Sequence, residues 1–251
     1  MNRRAALRLG AFLVVLALAG CATQGNTPFP ESVKQAARLN TQLGIGYMQQ
    51  EQYELAKQKL MRALSQADLP ETHVALAELY RRMDRDKLAE KQFRKALDLA
   101  PDRPETHNNY GVFLCDQGRY KDAVSQFMQA VNNPAYSTPA YAYTNAGLCV
   151  QRKGDSRQAG KYFRQALQVN PRFGQALYQM AALSYRKGKY MNARAFLERY
   201  AQVAPPTPDS LWLAVRTERK LGNKQAAAKY AQKLRKQFPD SDQANKLNPS
   251  R

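Results

Sequence analysis

This sequence of 251 residues contains three cysteines and two histidines, the residue types whose side chains can take part in the most kinds of reaction. Thiols can form a disulfide, carry a lipid or bind a metal, and imidazoles can bind a metal or transfer a proton. The motifs that would build a catalytic centre around such groups are missing: there is no Gly-rich phosphate loop, no His-Glu-x-x-His and no Gly-x-Ser-x-Gly. The sequence therefore predicts no catalytic residue, no cofactor and no small-molecule substrate, and we expect a protein that is not an enzyme.

Cys21 ends a segment that is typical of a secretory signal peptide. Three arginines lie within the first eight residues, and an uncharged, mostly apolar run follows. That run is shorter than the about 20 residues that span a bilayer. The ending Leu18-Ala19-Gly20-Cys21 resembles the lipobox of bacterial lipoproteins. The resemblance implies removal of residues 1–20 and acylation of Cys21, whose chains would anchor the protein in a membrane. A simple secretory signal with a chance cysteine is the alternative.

Ala22 and the residues after it bear on the destination of the protein. In the lipoproteins that this segment resembles, Asp at this position favours retention in the inner membrane. Ala22 therefore implies sorting to the outer membrane, with the folded body in the periplasm. The stretch after it is rich in Gly, Pro and short polar residues and has no helical period. Residues 21–36 are predicted to be the lipidated cysteine and a flexible tether.

A repeat of 33 to 36 residues runs through the rest of the chain. Its clearest mark is a recurring alanine, which is followed by a large apolar residue and a second small one. In the last four repeats a glycine precedes the alanine by five residues, and prolines separate most repeats. The recurring alanines are Ala56, Ala89, Ala123, Ala159, Ala193 and Ala227. Such a period indicates a stack of units that bury their apolar faces against each other.

This pattern resembles the tetratricopeptide repeat, a helix-turn-helix unit. The resemblance implies an all-α fold, a right-handed superhelical solenoid of six units over residues 37–242, followed by a C-terminal tail at 243–251. The units are predicted to start near Ala37, Pro70, Pro104, Ala140, Gly174 and Pro208. The linker after unit three is two residues longer than the others, so we expect a local change of superhelix geometry there.

Within this frame the remaining cysteines and the histidines can be placed. Cys115 and Cys149 lie late in the first helices of units three and four, which stand side by side in such arrays. Their Cα atoms could then approach within disulfide range, and an oxidising compartment would preserve the bond. Two small buried apolar residues are the alternative. His73 and His107 occupy the same packing position of their units, and no carboxylate or thiol recurs beside both, so we expect no metal site.

Tetratricopeptide arrays usually bind ligands in the concave groove that the first helices line. The groove positions of units one to four form a central apolar line with a mixed-charge rim, which suits an amphipathic helix or an extended apolar segment of a partner. Thr41, Ile45, Val74 and Val112 stand where a clamp for a terminal carboxylate would need Lys and Asn, so we expect no such clamp. The alternative for several of these side chains is a place in the core between units. The candidate groove residues are Ile45, Met48, Val74, Asn108, Val112, Tyr141 and Leu148.

The net charge of the chain is +19, and removal of residues 1–20 with their three arginines would leave +16. Such a field favours acidic partners. The cations alternate with apolar positions along the helices, and no nucleic-acid recognition module is apparent. We therefore expect a solvated basic surface and no nucleic-acid partner.

Two segments, His107-Asn108-Asn109-Tyr110-Gly111-Val112-Phe113-Leu114-Cys115 and Tyr143-Thr144-Asn145-Ala146-Gly147-Leu148-Cys149, resemble the PilF/PilW family of type IV pilus biogenesis lipoproteins. The order of signal, lipobox, tether and six repeats agrees with that family. The resemblance implies a pilotin, which binds secretin subunits and aids their localisation and multimerisation in the outer membrane. The alternative is another envelope lipoprotein of the same fold, an adaptor for cell-wall enzymes or for outer-membrane barrel assembly.

Overall fold

The computed structural model describes residues 30–247. The predictions for the signal peptide, the lipobox and Cys21 lie outside these residues. The described part consists of thirteen helices and contains no strand. None of these helices is long and apolar enough to cross a membrane. In chain order the helices are α1 (Glu31–Gln49), α2 (Tyr53–Gln66), α3 (Pro70–Arg82), α4 (Asp86–Leu99), α5 (Pro104–Asp116), α6 (Tyr120–Asn132), α7 (Pro139–Arg152), α8 (Ser156–Val169), α9 (Gly174–Arg186), α10 (Tyr190–Ala201), α11 (Pro208–Lys220), α12 (Lys224–Gln237) and α13 (Asp242–Asn245).

Helices α1 to α12 form six antiparallel pairs, and each pair packs on the next. The predicted all-α solenoid of six tetratricopeptide units is confirmed. The first helices of neighbouring units contact each other (α1 with α3, α3 with α5, α5 with α7), so they line one side of the stack. That side holds the candidate groove.

Small residues in the first helix and large ones in the second explain how the two helices of a unit pack. Phe93, Phe127 and Phe163 are buried at equivalent places in units two to four. The ring of Phe127 lies against Gly111, where an added Cβ would come within 2.7 Å of it. The recurring alanines are buried and bring the helix backbones close together. The sequence period therefore reflects the steric requirements of this interface.

The turns within the units need one residue in the left-handed region. Gly118, Gly154, Gly188 and Gly222 supply it with φ between 71° and 96°. In the first two units Glu51 and Asp84 adopt it instead, with φ of 60° and 56°. This conformation carries a steric cost for residues with a Cβ, so the turn geometry is retained at these two positions against local preference.

The predicted tether extends too far into the folded body. Helix α1 begins at Glu31, so residues 31–36, which were assigned to the tether 21–36, are helical. This stretch contains neither Gly nor Pro, and Pro30 stands at the N-cap, where its fixed φ of −48° leads into the helix. Ala37, the predicted start of unit one, lies in the second turn of α1 and is buried.

The predicted C-terminal tail is also partly wrong. Residues 242–245 form α13, which the side chain of Ser241 caps by accepting from the Ala244 amide. Ala244 and Leu247 are buried against Leu211 and Val215 of unit six. A short helix therefore covers the apolar end face of unit six.

Candidate partner-binding groove

The structure brings three of the predicted groove residues together in one cavity. Ile45, Met48 and Val74, from α1 and α3, line a cavity of about 330 Å³. We call it the N-terminal pocket, and its other lining residues are Glu71, Ala75, Glu78, Arg103, Glu105, Thr106 and Asn109. Its floor is apolar and three carboxylates lie on its rim. The arrangement can accept an apolar side chain of a partner that carries a cation beside it.

Met48 and Thr41 contribute less to this surface than their repeat positions predict. Met48 is only 4% exposed and belongs to the core between units one and two. Thr41 is buried, and its hydroxyl lies 2.7 Å from that of Thr72. A position in the repeat predicts which way a side chain points, but the close approach of α1 and α3 decides whether it remains accessible.

The central part of the groove is narrower. Val112 and Leu148, on α5 and α7, line a second cavity of only about 60 Å³. Both side chains are half-buried and pack against the main core. Asn108 accepts a hydrogen bond from the Asn145 side chain at 3.0 Å, which joins the two helices across the groove floor. The central part of the groove is therefore a shallow surface rather than a deep site. We call Val112 and Leu148 the apolar strip, and the side-chain amides of Asn108 and Asn145 lie beside it.

Tyr141 lies apart from both cavities. Its ring is 48% exposed and meets Phe173 edge-on, with the centroids 4.6 Å apart. It stands where unit four meets unit five. The seven predicted groove residues thus form a pocket, a strip and a separate aromatic position.

Two rows of ion pairs border the apolar surface and connect the units. On one side Glu71 accepts from Arg103 at 2.9 Å and lies 3.5 Å from Arg38, which links units one to three. On the other side Asp116 pairs with Arg81 at 3.3 Å and with Arg152 at 2.6 Å, which links units two to four. Each pair is partly exposed, so its contribution to stability is modest. Together the rows fix the distance between neighbouring first helices at the groove.

Two carboxylates of the rim, Glu71 and Glu78, have pKa values below the ordinary value of a glutamate. Partial burial raises the pKa of Glu78, but hydrogen bonds from Arg81 and Arg82 outweigh this effect, and the net pKa lies below the ordinary value. Burial likewise raises the pKa of Glu71, and a backbone hydrogen bond together with Arg103 lowers it further than burial raises it. Both side chains are therefore held ionised in pairs with arginines at the edge of the pocket.

Arg103 and Asn109 are pocket residues that the repeat positions did not identify. Arg103 belongs to the loop before α5, and the period of the first helices does not place loop residues. Asn109 lies one position beyond Asn108 and is exposed. The doubled Asn108-Asn109 was the only signal in the sequence that could have drawn attention to it.

Cys115 and Cys149 form a disulfide between α5 and α7, with their Cα atoms 5.7 Å apart. Both cysteines line the small central cavity together with Val112 and Leu148. The bond therefore lies directly behind the apolar strip and connects units three and four.

The two histidines make hydrogen bonds mainly within their own units. The ring nitrogens of His73 lie 2.6 Å from Gln92 and 2.6 Å from Asp68. Those of His107 lie 2.7 Å from Gln126 and 2.6 Å from the Pro101 carbonyl. Within residues 30–247 no group of three or more His, Cys, Asp or Glu side chains could hold a metal ion. In units two and three, the histidine side chain therefore connects the first helix to the second helix and to the loop before the first helix.

The comparisons with known proteins first define the class. A family model described as tetratricopeptide repeat matches residues 74–137 and 147–210, and a second tetratricopeptide model matches residues 209–241. Together with the helix pairs and the groove, this makes the chain a tetratricopeptide-repeat protein. Proteins of this class act as scaffolds for other proteins, which indicates a non-enzymatic role.

The particular family follows from two relatives that match along their length. Type IV pilus assembly protein PilF of Pseudomonas aeruginosa is 32% identical over 248 residues, which is 96% of each chain. The crystal structure of PilW, described as a widely conserved type IV pilus biogenesis factor, is 30% identical with a TM-score of 0.74, and the match covers 85% of this chain and 98% of that one. A structure of Pseudomonas aeruginosa PilF gives a TM-score of 0.73 at 29% identity, with 86% and 98% covered. The chain belongs to the PilF/PilW family, as its Asn-Asn-Tyr-Gly and Asn-Ala-Gly-Leu-Cys segments predicted.

Proposed function

We propose that this protein is a pilotin: an outer-membrane lipoprotein, anchored through acylated Cys21, that binds secretin subunits of the type IV pilus. It aids their localisation and multimerisation in the outer membrane, and so supports pilus biogenesis and twitching motility. Family membership supports the connection to the pilus. The N-terminal pocket is the observation that carries the binding role.

The pocket favours one kind of ligand. Ile45 and Val74 offer an apolar floor, and Glu71, Glu78 and Glu105 surround it with carboxylates. Glu78 and Glu71 are already held by arginines, whereas Glu105 is exposed at the rim. A secretin segment with apolar side chains at helical spacing and a flanking Lys or Arg would fill the floor and pair with Glu105. No bond is made or broken, so the protein acts by shielding an apolar surface until the ring assembles.

The test uses substitutions that obstruct the pocket at exposed or partly buried side chains. Asn109→Trp places a large ring at the pocket mouth from an exposed position, and Ile45→Glu with Val74→Glu makes the floor polar. The matched control is Leu55→Glu with Leu88→Glu, which changes two exposed leucines of second helices by the same chemistry. Thermal unfolding of each purified variant verifies that it folds.

The readout is the amount of secretin that co-purifies with the lipidated protein from the native envelope, together with the fraction of secretin in assembled rings. We expect both pocket variants to lose secretin and the control to retain it. Cys21→Ala is expected to keep the interaction in solution but to leave the rings misplaced or unassembled. Normal rings and normal co-purification in folded pocket variants would contradict the proposal.

The adaptor alternative gives a different result in the same experiment. Recovery of cell-wall hydrolases or barrel-assembly proteins without secretin would leave the fold standing and assign the groove to those partners.

A further inference from the structure

The charge of this protein is concentrated in one half of the array. Residues 31–139, which hold units one to three, contain 15 Lys and Arg against 14 Asp and Glu, a net charge of +1. Residues 140–238, which hold units four to six, contain 19 Lys and Arg against 4 Asp and Glu, a net charge of +15. One of those four carboxylates, Glu218, is buried and paired with Arg194. Almost the entire positive field therefore originates in units four to six.

About half of these cations lie on one edge of the solenoid. The turns within units lie along one edge, because the helices of a unit are antiparallel and the units stack in the same orientation. In units four to six each such turn carries three exposed cations within a few residues. We call this row the basic edge: Arg152, Lys153 and Arg157; Arg186, Lys187 and Lys189; Arg219, Lys220 and Lys224. Arg152 also pairs with Asp116 of unit three, and Asp155 is the one carboxylate that lies within these three turns.

The repeat fold does not itself require this row. Cations at the end of a helix interact favourably with its dipole. Yet α1 and α5 end without a basic residue in their last turn. The equivalent edge of units one to three carries carboxylates among its cations, namely Glu51, Glu54, Asp84, Asp86 and Asp116. The basic edge is therefore a property of three particular turns rather than of the repeat.

An exposed apolar side chain stands in the middle of the basic edge. Met191, in the first turn of α10, is 60% exposed, the largest exposed fraction among the large apolar side chains of the described residues. It follows Lys189 and Tyr190, and the Tyr190 ring lies 5.3 Å from that of Tyr185. An apolar side chain with cations on either side is the pattern of a surface that enters the headgroup region of a bilayer.

The shape of the edge also selects the partner. Neighbouring helices stand about 10 Å apart, so three successive turns form a row of roughly 20 Å. Exposed turns that lie next to one another can meet a flat surface, whereas the apolar segment of a peptide is better accommodated in a groove such as that of units one to three. We propose that the basic edge docks on an anionic phospholipid surface, with Met191 entering the headgroup region. This inference does not rest on secretin binding, and it leaves the N-terminal pocket open to a partner.

The test measures binding to vesicles without any contribution from a lipid anchor. All packing described above lies within residues 30–247, so we use the chain that begins at Ala22, which lacks both the apolar leader and Cys21. It is sedimented with vesicles of phosphatidylcholine alone and with vesicles that also contain phosphatidylglycerol. We expect binding to the second kind only, decreasing as salt screens the charges.

Two variants with the same loss of charge locate the contact. The edge variant carries Lys153→Gln, Lys187→Gln, Lys189→Gln and Lys220→Gln. The control carries Lys57→Gln, Lys87→Gln, Lys91→Gln and Lys121→Gln in units one to three. Each lysine near an anionic surface contributes severalfold to partitioning, so we expect the edge variant to lose at least about tenfold and the control no more than about threefold. Thermal unfolding and the fluorescence of Trp212, the single tryptophan, show that each variant is folded.

Three results would overturn the proposal. The first is absence of binding to phosphatidylglycerol vesicles, which would leave an acidic protein as the partner of the edge. The second is an equal loss in both variants, which would mean that net charge alone drives binding. The third is a Met191→Ser variant that binds as well as the parent chain in high salt, where the apolar contact should dominate; we expect severalfold weaker binding.

Discussion

A disulfide joins Cys115 and Cys149 across the interface of units three and four. In its own helix, each cysteine lies within one helical turn after a residue of the apolar strip. Leu148 precedes Cys149, and Val112 lies one helical turn before Cys115. The bond therefore holds α5 and α7 together immediately behind the surface that a partner would touch. It joins the two units that the six-residue linker of residues 133–138 connects, and Tyr136 of this linker is buried.

The first prediction concerns the energy of this bond. The cross-link joins residues 34 positions apart, and the loss of chain entropy in the unfolded state corresponds to about 3 to 4 kcal/mol for such a loop. We expect Cys115→Ala with Cys149→Ala to lower the free energy of unfolding by about that amount in denaturant titrations. The parent protein should approach the same value in excess reductant. An unchanged midpoint on reduction would mean that the native protein carries two free thiols.

The second prediction follows from Glu90 on α4. Hydrogen bonds from Arg119, Arg94 and Tyr110 lower the pKa of this carboxyl to about 2, although partial burial opposes the shift. Because the pKa in the folded state lies below that in the unfolded state, the stabilisation is complete above the unfolded value near 4.5 and is lost as the pH falls towards 2.

Glu90→Gln should accordingly reduce the free energy of unfolding by about 1 kcal/mol at pH 7, since the arginines are partly exposed and solvent screens the pairs. The difference from the parent should narrow between pH 4 and pH 2. The measurement is a series of denaturant titrations over that range. The control is Glu54→Gln, which changes an exposed carboxylate of α2. A difference that stays constant with pH would show that Glu90 does not titrate as described.

The sequence predicted the stack of helix pairs because the packing of small on large residues repeats with the units. Gly111 facing Phe127 and Gly147 facing Phe163 are the same contact one unit apart, and a period makes such contacts visible without a structure. The end pieces were harder to predict for the same reason. Residues 31–36 and α13 occur once each, so no period marks them. Ala244 of α13 is buried against unit six, whereas residues 31–36 are exposed or partly buried and extend α1 beyond the repeat.

For the candidate groove, the sequence predicts which side chains point towards the groove but not which of them remain accessible. Ile45 and Val74 point into the N-terminal pocket, as their positions in the repeat indicate. Met48 is buried in the core instead, and Thr41 is buried with its hydroxyl hydrogen-bonded to that of Thr72. Accessibility depends on how closely α1 and α3 approach, which the sequence does not specify. Arg103 reaches the pocket from a loop, where position in a repeat carries no information.

The third prediction compares one repeat position in two environments. Leu43 and Leu76 are equivalent residues of units one and two, but Leu43 is 43% exposed and Leu76 is 1% exposed. Leu76 packs against Met48, Ala56 and Leu60 of unit one, whereas no unit precedes unit one within residues 30–247 to cover Leu43. Leu76→Ala should cost about 2 to 5 kcal/mol of unfolding free energy, and Leu43→Ala less than about 1 kcal/mol. Equal costs would reveal that some part of the native protein covers Leu43.

The fourth prediction uses two glycines that lie inside first helices. An added Cβ at Gly111 would stand 2.7 Å from the Phe127 ring and 3.1 Å from the Ala123 carbonyl oxygen, so the second helix would have to move. At Gly46 an added Cβ would meet nothing within 4 Å. Alanine lowers the entropy of the unfolded chain and favours the helix by about 0.5 to 1 kcal/mol where it fits.

We therefore expect opposite signs for the same substitution. Gly46→Ala should raise the free energy of unfolding by about 0.5 to 1 kcal/mol. Gly111→Ala should lower it by about 1 to 3 kcal/mol, because overpacking against a buried ring outweighs the gain in helix propensity. Adding Phe127→Leu to Gly111→Ala should recover part of the loss, since the smaller side chain makes room for the new methyl group. If the double variant is no more stable than Gly111→Ala alone, the steric contact between positions 111 and 127 is not the cause of the loss.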